Sequence, residues 1–384
     1  MAVSTKLLHD LCNLPTAAFL EEAVYDYIER WVAKRPPLSI QRDRFGNRLV
    51  LLRGTDPKAP RLVLVAHTDH PAFVVRGSAE GVVHCEFRGG VFAKNCRGAK
   101  VRFFTPEGEI VAKVQDVTAG DNDRLKSATF RMRQAPPVGT IGMLDEGAGR
   151  ENGGSFYSRA CDDLAGCASA LTALDQLRRR PPASTVAVLL TRAEEVGFVG
   201  AIAAVKDGKL LRKTDRVISI ETSSEQPFAP RGKGVVVRVG DRMSVFNSAF
   251  TYFLGERGEA LAKKRKEFAF QRALMPGGVC EGTVFDAFGI IASAVCVPLG
   301  NYHNMDRKRG RTGPEFISLR DWRSMVELFI DAARNLHDFS GGHDQLRSRL
   351  DKRLEDHRHL FDDATAALEK PARAKKTRKA KRNR

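Results

Sequence analysis

Apolar residues recur along this chain with two different periods, and the change of period divides it. Residues 5–34 carry apolar positions at helical spacing, most clearly in "FLEEAVYDYIERWVAK". Two short strands follow, "GNRLVLLRG" and "RLVLVAH". The second is a continuous apolar run, the pattern of a strand covered on both faces. From about Val74 to Gly154 the residues alternate apolar and polar, as in "GVVHCEFRGG", "KVRFFTPEGEIVAKVQDV" and "SATFRMRQ". Thr105-Pro106-Glu107-Gly108 supplies turn chemistry between two such runs. That stretch reads as an inserted all-β module, a small barrel. Helical and strand patterns then alternate again, with helices expected at 164–180, near 198–206, within 244–266, near 282–288 and at 318–336. The strands between them are "STVAVLLT", "DRVISIE", "GVVVRV" and "IIASAVCVPLG".

Alternating units of this kind predict an α/β fold: a mixed, mostly parallel sheet covered by helices on both faces, with an inserted small β-barrel-like domain. The expected division is a discontinuous catalytic part, 1–73 and 155–340, around a β insert at 74–154. A charged helical extension at 341–369 leads into a basic, disordered tail at 370–384.

Charge and cysteine content narrow the picture only once they are located. The net charge is +17, but the last fifteen residues, "KPARAKKTRKAKRNR", hold nine of the Lys and Arg and no acid. Without them about +8 remains, so the core is basic but ordinary, and the tail offers weak, salt-sensitive polyanion contacts. The seven cysteines are scattered, with no CxxC pair, as in a reducing compartment. No apolar run approaches the ~20 residues that span a bilayer. The opening "MAVSTKLLHDLCNL" lacks a basic stretch followed by an apolar one, so a cytoplasmic location is expected, with no membrane partner.

The residues that carry chemistry stand where strands end. His67 and Asp69 follow "RLVLVA", Glu194 and Glu195 follow "STVAVLLTRA", Glu221 ends "RVISI", and His303 follows "ASAVCVPLGNY". In open α/β sheets such ends line the binding crevice. Asp162 and Asp163 stand side by side before an apolar helix. One aspartate there suits a helix N-terminus; two repel, and call for a cation. Two His and several carboxylates suit a pair of divalent metal ions. Taken singly, each residue also has a plain structural reading, as a helix cap, a loop acid or a strand-end histidine bonded to backbone. Their conjunction at successive strand ends favours a metal centre.

"VAHTDH", "RACDDLAG", "LLTRAEEVGFVGA", "VISIETS", "RGKGVVV" and "VPLGNYHN" match, in order, the landmarks of the co-catalytic dimetal aminopeptidases. Over residues 1–340 the layout resembles the glutamyl-aminopeptidase type that forms large tetrahedral assemblies, with its zinc-peptidase-like fold. The β insert lies between the H-x-D and D-D motifs, as in that type. The resemblance implies a metal-dependent aminopeptidase that removes N-terminal residues from peptides, working as a homo-oligomer. It implies two divalent ions, zinc first, with cobalt or manganese as alternatives. His67 and Glu221 would hold one, Glu195 and His303 the other, with Asp162 shared between them. The Asp162–Asp163 peptide would be cis, and Asp69 would stand behind His67 and fix its tautomer. Glu194 would be the general base toward a hydroxide bridging the ions.

The chain departs from that pattern at "HPAF" after the H-x-D, at Leu164 after the double aspartate, and at Glu221, where aspartate is usual. It departs again at "GGVCEGTVF" and at Asn301-Tyr302 before the last histidine. These positions shape a substrate pocket, so hydrolysis of N-acyl amino acids on the same fold is the alternative. A nucleic-acid-associated protein with a residual metal site is a third reading, resting on the tail and the pI near 9.8.

Overall fold

The computed structural model describes residues 3–369; the expected basic tail, 370–384, lies outside them. Residues up to Phe339 form one compact unit. Its centre is a mixed eleven-stranded sheet. Val186–Thr191, Leu62–His67, Arg216–Ser224 and Ile291–Gly300 run parallel as consecutive neighbours. Antiparallel strands flank them, among them Arg48–Leu52 on one side and Val235–Gly240 on the other.

The central strands read as unbroken apolar runs because both faces are buried. Leu62, Leu64 and Ala66 pack into the core on one face, while Val63 and Val65 pack into the core on the other. That alternation follows from the two-residue period of a strand. The helices Leu164–Leu177 and Leu319–Arg334 belong to the first core, and Val199–Asp207 and Gly282–Ala287 to the second. Leu319–Arg334 has the apolar stripe of a one-sided helix, whereas Leu164–Leu177 buries eleven of its residues, Gly166 and Ser169 included.

Six strands between Ala72 and Leu144 close into a barrel. Phe73, Phe87, Phe103 and Phe130 fill it with edge-to-face contacts at ring distances of 4.8–5.4 Å. The strands Arg150–Asn152 and Ser155–Ser158 pair with each other, and the second joins Glu315–Ser318 of the large sheet.

Three local differences from the periodicity have physical causes. The helical pattern of 5–34 is two helices, Lys6–Cys12 and Glu22–Ala33, because Pro15 cannot continue the first. The strands Ser39–Arg42 and Phe270–Leu274 are half-exposed pieces on sheet borders, too polar to announce themselves. Glu315–Ser318 is only four residues long and begins on a buried acid. Residues 340–369 belong to a second unit, in which Asp344–Glu369 forms the expected charged helix.

Candidate metal centre

Parallel strands send their C-terminal ends to the same edge of the sheet, which is why residues far apart in sequence meet here. His67 closes its strand beside Thr191, whose strand leads directly into Glu194 and Glu195. Glu221 comes from the neighbouring strand Arg216–Ser224. His303 lies in the short turn that follows Ile291–Gly300. Asp162 precedes the helix Leu164–Leu177 and is joined to Asp163 by a cis peptide bond, as the resemblance implied.

Asp162 is central. Its Oδ1 is 3.4 Å from His67 Nε2, and its Oδ2 is 3.5 Å from His303 Nε2. The two carboxylate oxygens therefore face different imidazoles. Glu195 Oε1 is 3.1 Å from His303 Nε2, and Glu194 Oε2 is 3.9 Å from His67 Nε2. Ligand atoms of His67, Asp162 and Glu195 lie within 4.8 Å of one another, as do those of His67, Glu194 and Glu221. Glu194 thus stands as near His67 as a ligand would.

The surroundings fix this arrangement in ways the motifs do not spell out. His67 Nδ1 pairs with the Asp69 backbone carbonyl at 3.2 Å, while the Asp69 carboxylate is 3.6 Å away. That carboxylate accepts the N–H groups of Glu194 and Glu195 at 2.9 and 3.0 Å. Asp69 therefore orients the glutamate pair as well as the histidine. Ala193, with φ of 53°, donates its N–H to buried Glu21, which also binds the Arg192 guanidinium. The loop carrying both glutamates is thus tied down on two sides. His303 Nδ1 faces the Gly90 carbonyl at 2.9 Å, leaving Nε2 turned toward Asp162 and Glu195. The capping reading of the double aspartate does not hold, since Asp163 makes no side-chain cap bond. Gly166 is explained by the same pair: a Cβ there would lie 2.2 Å from Asp163 Oδ2.

Glu315 and His70 join the site unannounced. Glu315 is fully buried and accepts the N–H groups of Cys161, Asp162 and His303 at 2.7, 3.1 and 2.7 Å. His70 pairs with the Asp162 carbonyl at 2.7 Å. His70 could have been picked out as part of "HTDH"; nothing in "PEFIS" singles out Glu315.

Carboxylates outnumber cations in this dry space, and the acid–base behaviour records the excess. Burial raises Glu221 to about 8 with Asp162 adding to the effect, and burial together with Glu221 and Glu195 pushes Glu194 well above the carboxylate range. Burial alone would lower His67 and His303. The carboxylates around them, Glu194 and Glu195 foremost, push both well up. Asp162 goes the other way, because the two imidazoles outweigh its burial. Glu195 Oε1, Glu221 Oε1 and His303 Nε2 are buried without a hydrogen-bond partner. Unpaired buried acceptors of this kind are costly. Divalent cations would satisfy all three, and imidazole with carboxylate is a donor set that suits them. The residues present fit a metal centre.

A clad mixed sheet, an inserted closed barrel and a His/carboxylate cluster at the strand ends are the features to set beside known proteins. Residues 131–311 match the model of the M42 glutamyl aminopeptidase family. That segment includes Asp162, Glu194, Glu195, Glu221 and His303, but not His67 or Asp69. Among solved structures, aminopeptidase APDkam598 from the archaeon Desulfurococcus kamchatkensis shares 19% identity and a TM-score of 0.71. The alignment covers 86% of this chain and 94% of that one. The Pyrococcus horikoshii TET1 peptidase, which can assemble into a tetrahedron or a large octahedral shell, shares 19% identity at a TM-score of 0.69, covering 85% of this chain and 98% of that one. A TET aminopeptidase from Thaumarchaeota archaeon SCGC AB-539-E09 gives 18%, 0.69, 86% and 97%. No curated protein sequence matches significantly.

Proposed function

We propose that this protein is a dimetal aminopeptidase that removes N-terminal residues from peptides, with Glu194 as general base. The observation that carries the reading is Asp162, whose two oxygens face His67 and His303 separately. In this reading His67 and Glu221 would hold one ion and Glu195 and His303 the other, with Asp162 available to both. Zinc is the first choice of metal, with cobalt or manganese as alternatives. When bound, such ions polarise the scissile carbonyl and acidify a water to near-neutral pKa.

The chain's own residues do the rest. Glu194 accepts the proton of the attacking water and delivers it to the leaving amine, a role suited to a carboxylate whose oxygen stands 3.9 Å from His67 Nε2. Asp69 keeps Glu194 and Glu195 in separate orientations by holding both their N–H groups. Glu21, through Ala193 and Arg192, braces the loop from behind. The seven cysteines are all buried, so no thiol nucleophile competes for the role.

The division into a catalytic part, 1–73 and 155–340, and an insert, 74–154, goes with this function, as does a homo-oligomer like those of the TET peptidases. So does a cytoplasmic location; no helix among the described residues is long and apolar enough to cross a membrane.

The test is turnover of short peptides and aminoacyl reporters by purified protein. Chelation should abolish release, zinc, cobalt or manganese should restore it, and Glu194→Gln should cost roughly 10²–10⁴-fold in kcat. Cleavage of N-acetylated dipeptides in preference to free ones would shift the assignment to N-acyl amide hydrolysis. Two bound metals with no turnover across a broad panel would defeat it.

A further inference from the structure

A cavity of about 1290 Å³ opens between one edge of the barrel and the loops that follow the central strands. It exceeds the ~300–1,000 Å³ usual for small-ligand sites. A much smaller recess of about 90 Å³ contains Glu221 and the buried Arg238. The two adjoin: Ser224, Gln226, Tyr302 and Arg307 line both. A molecule held at the metal centre by one end has a roomy space close by into which to extend.

The walls of that larger space carry seven Lys or Arg and four acids. The acids are largely committed. Asp145 accepts from Arg102, which stands outside the lining, Glu225 from Arg231, and Asp306 from Arg309. Lys100, Arg307, Lys308 and Arg311 have no acidic partner among the described residues. Three of these four stand on the turn and hairpin that continue from His303, and Lys100 faces them from the barrel. Solvated cations on a convex face would need no explanation. Here they line a concavity that shares four lining residues with the Glu221 recess, and fields of one sign are focused in such a space.

We propose that this chamber receives the remainder of the substrate chain and selects peptides with acidic residues after the first position, Lys308 and Arg311 being its principal contacts. The inference rests on the aminopeptidase reading and deepens it. An enzyme that releases one residue must hold the rest of the peptide somewhere, and the chamber's charge decides which sequences gain from being held there.

Binding and turnover test the two readings separately. Hexapeptides with N-terminal alanine, a C-terminal fluorescent label and glutamate, alanine or lysine between them are titrated against metal-free full-length protein. Metal-free protein keeps turnover out of the measurement. Anisotropy should show the acidic peptide bound about tenfold more tightly than the alanine peptide, with the difference shrinking as salt rises. Lys308→Glu with Arg311→Glu should erase or invert that order, and Lys308→Gln with Arg311→Gln should weaken it if the reversal perturbs folding. Deletion of 370–384 should leave it intact. Equal affinity for the three peptides, or a preference lost with the tail and not with the hairpin changes, would overturn the proposal. On metal-loaded enzyme the same order should appear in KM, and the hairpin variants should lose it. Acidic binding without any turnover would sustain the chamber and count against the aminopeptidase reading alone.

Discussion

Glu315 joins the two halves of the site through backbone alone. One oxygen holds the His303 N–H, and the other holds the N–H groups of Cys161 and Asp162. His303 has φ of 54° and Asn304 58°, a left-handed turn that is uncommon outside glycine, and the Glu315 bond is what secures it. Glu315→Gln should place an amide donor against one of those N–H groups. The expected result is a 10–100-fold loss of metal affinity by calorimetric titration, with folding retained by circular dichroism. The cysteines make an opposite prediction. Burial pushes Cys85 up to about 12, Cys96 to about 12 with Asp123 adding to the effect, and Cys296 to about 11. A raised pKa leaves the neutral thiol dominant at pH 8. Less than one of the seven should react with a thiol reagent in native protein at that pH, and all seven after unfolding in guanidinium.

The loop between Val186–Thr191 and the helix Val199–Asp207 works as one part. Its residues hang on Glu21 and Asp69, and the helix start closes tightly over it. A Cβ at Gly200 would lie 2.2 Å from the Arg192 carbonyl oxygen and 2.8 Å from Asn47 Oδ1. The glycine in "EEVGFVGA" is therefore a packing requirement behind the glutamates. Gly200→Ala should push the helix away, costing roughly 1–3 kcal/mol in denaturant melts. It should also lower kcat for every substrate, because Glu194 and Glu195 move with the backbone. A change confined to stability would mean that the loop tolerates the shift. The helix patterns were readable here from apolar spacing. The short border strands were not, because a half-exposed edge strand carries no continuous apolar run.

For the molecule as a whole, charge separates into two locations with different consequences. The chamber's cations lie beside the site, whereas the 370–384 run lies outside the described residues. Deleting that run should abolish binding to a generic polyanion such as heparin and leave peptide hydrolysis unchanged. Loss of hydrolysis would instead give the tail a part in the enzyme. Divalent ions bound at the proposed centre should also support the fold. Ligands that bind only the native state stabilise it by mass action, so chelation should lower Tm and a fresh divalent ion should restore it.

Local sequence was enough to indicate the α/β architecture, the barrel insert and six polar side chains at strand ends. Those are consequences of periodicity and of where apolar runs stop, which neighbouring residues report directly. Glu315, His70, the Glu21 brace and the shared role of Asp69 came only with the folded chain. Each acts on a backbone group brought to it from 12 to 172 residues away. Backbone N–H and carbonyl groups are the same in every residue, so no local pattern can mark which of them a buried carboxylate will meet. That depends on how strands and loops pack in three dimensions.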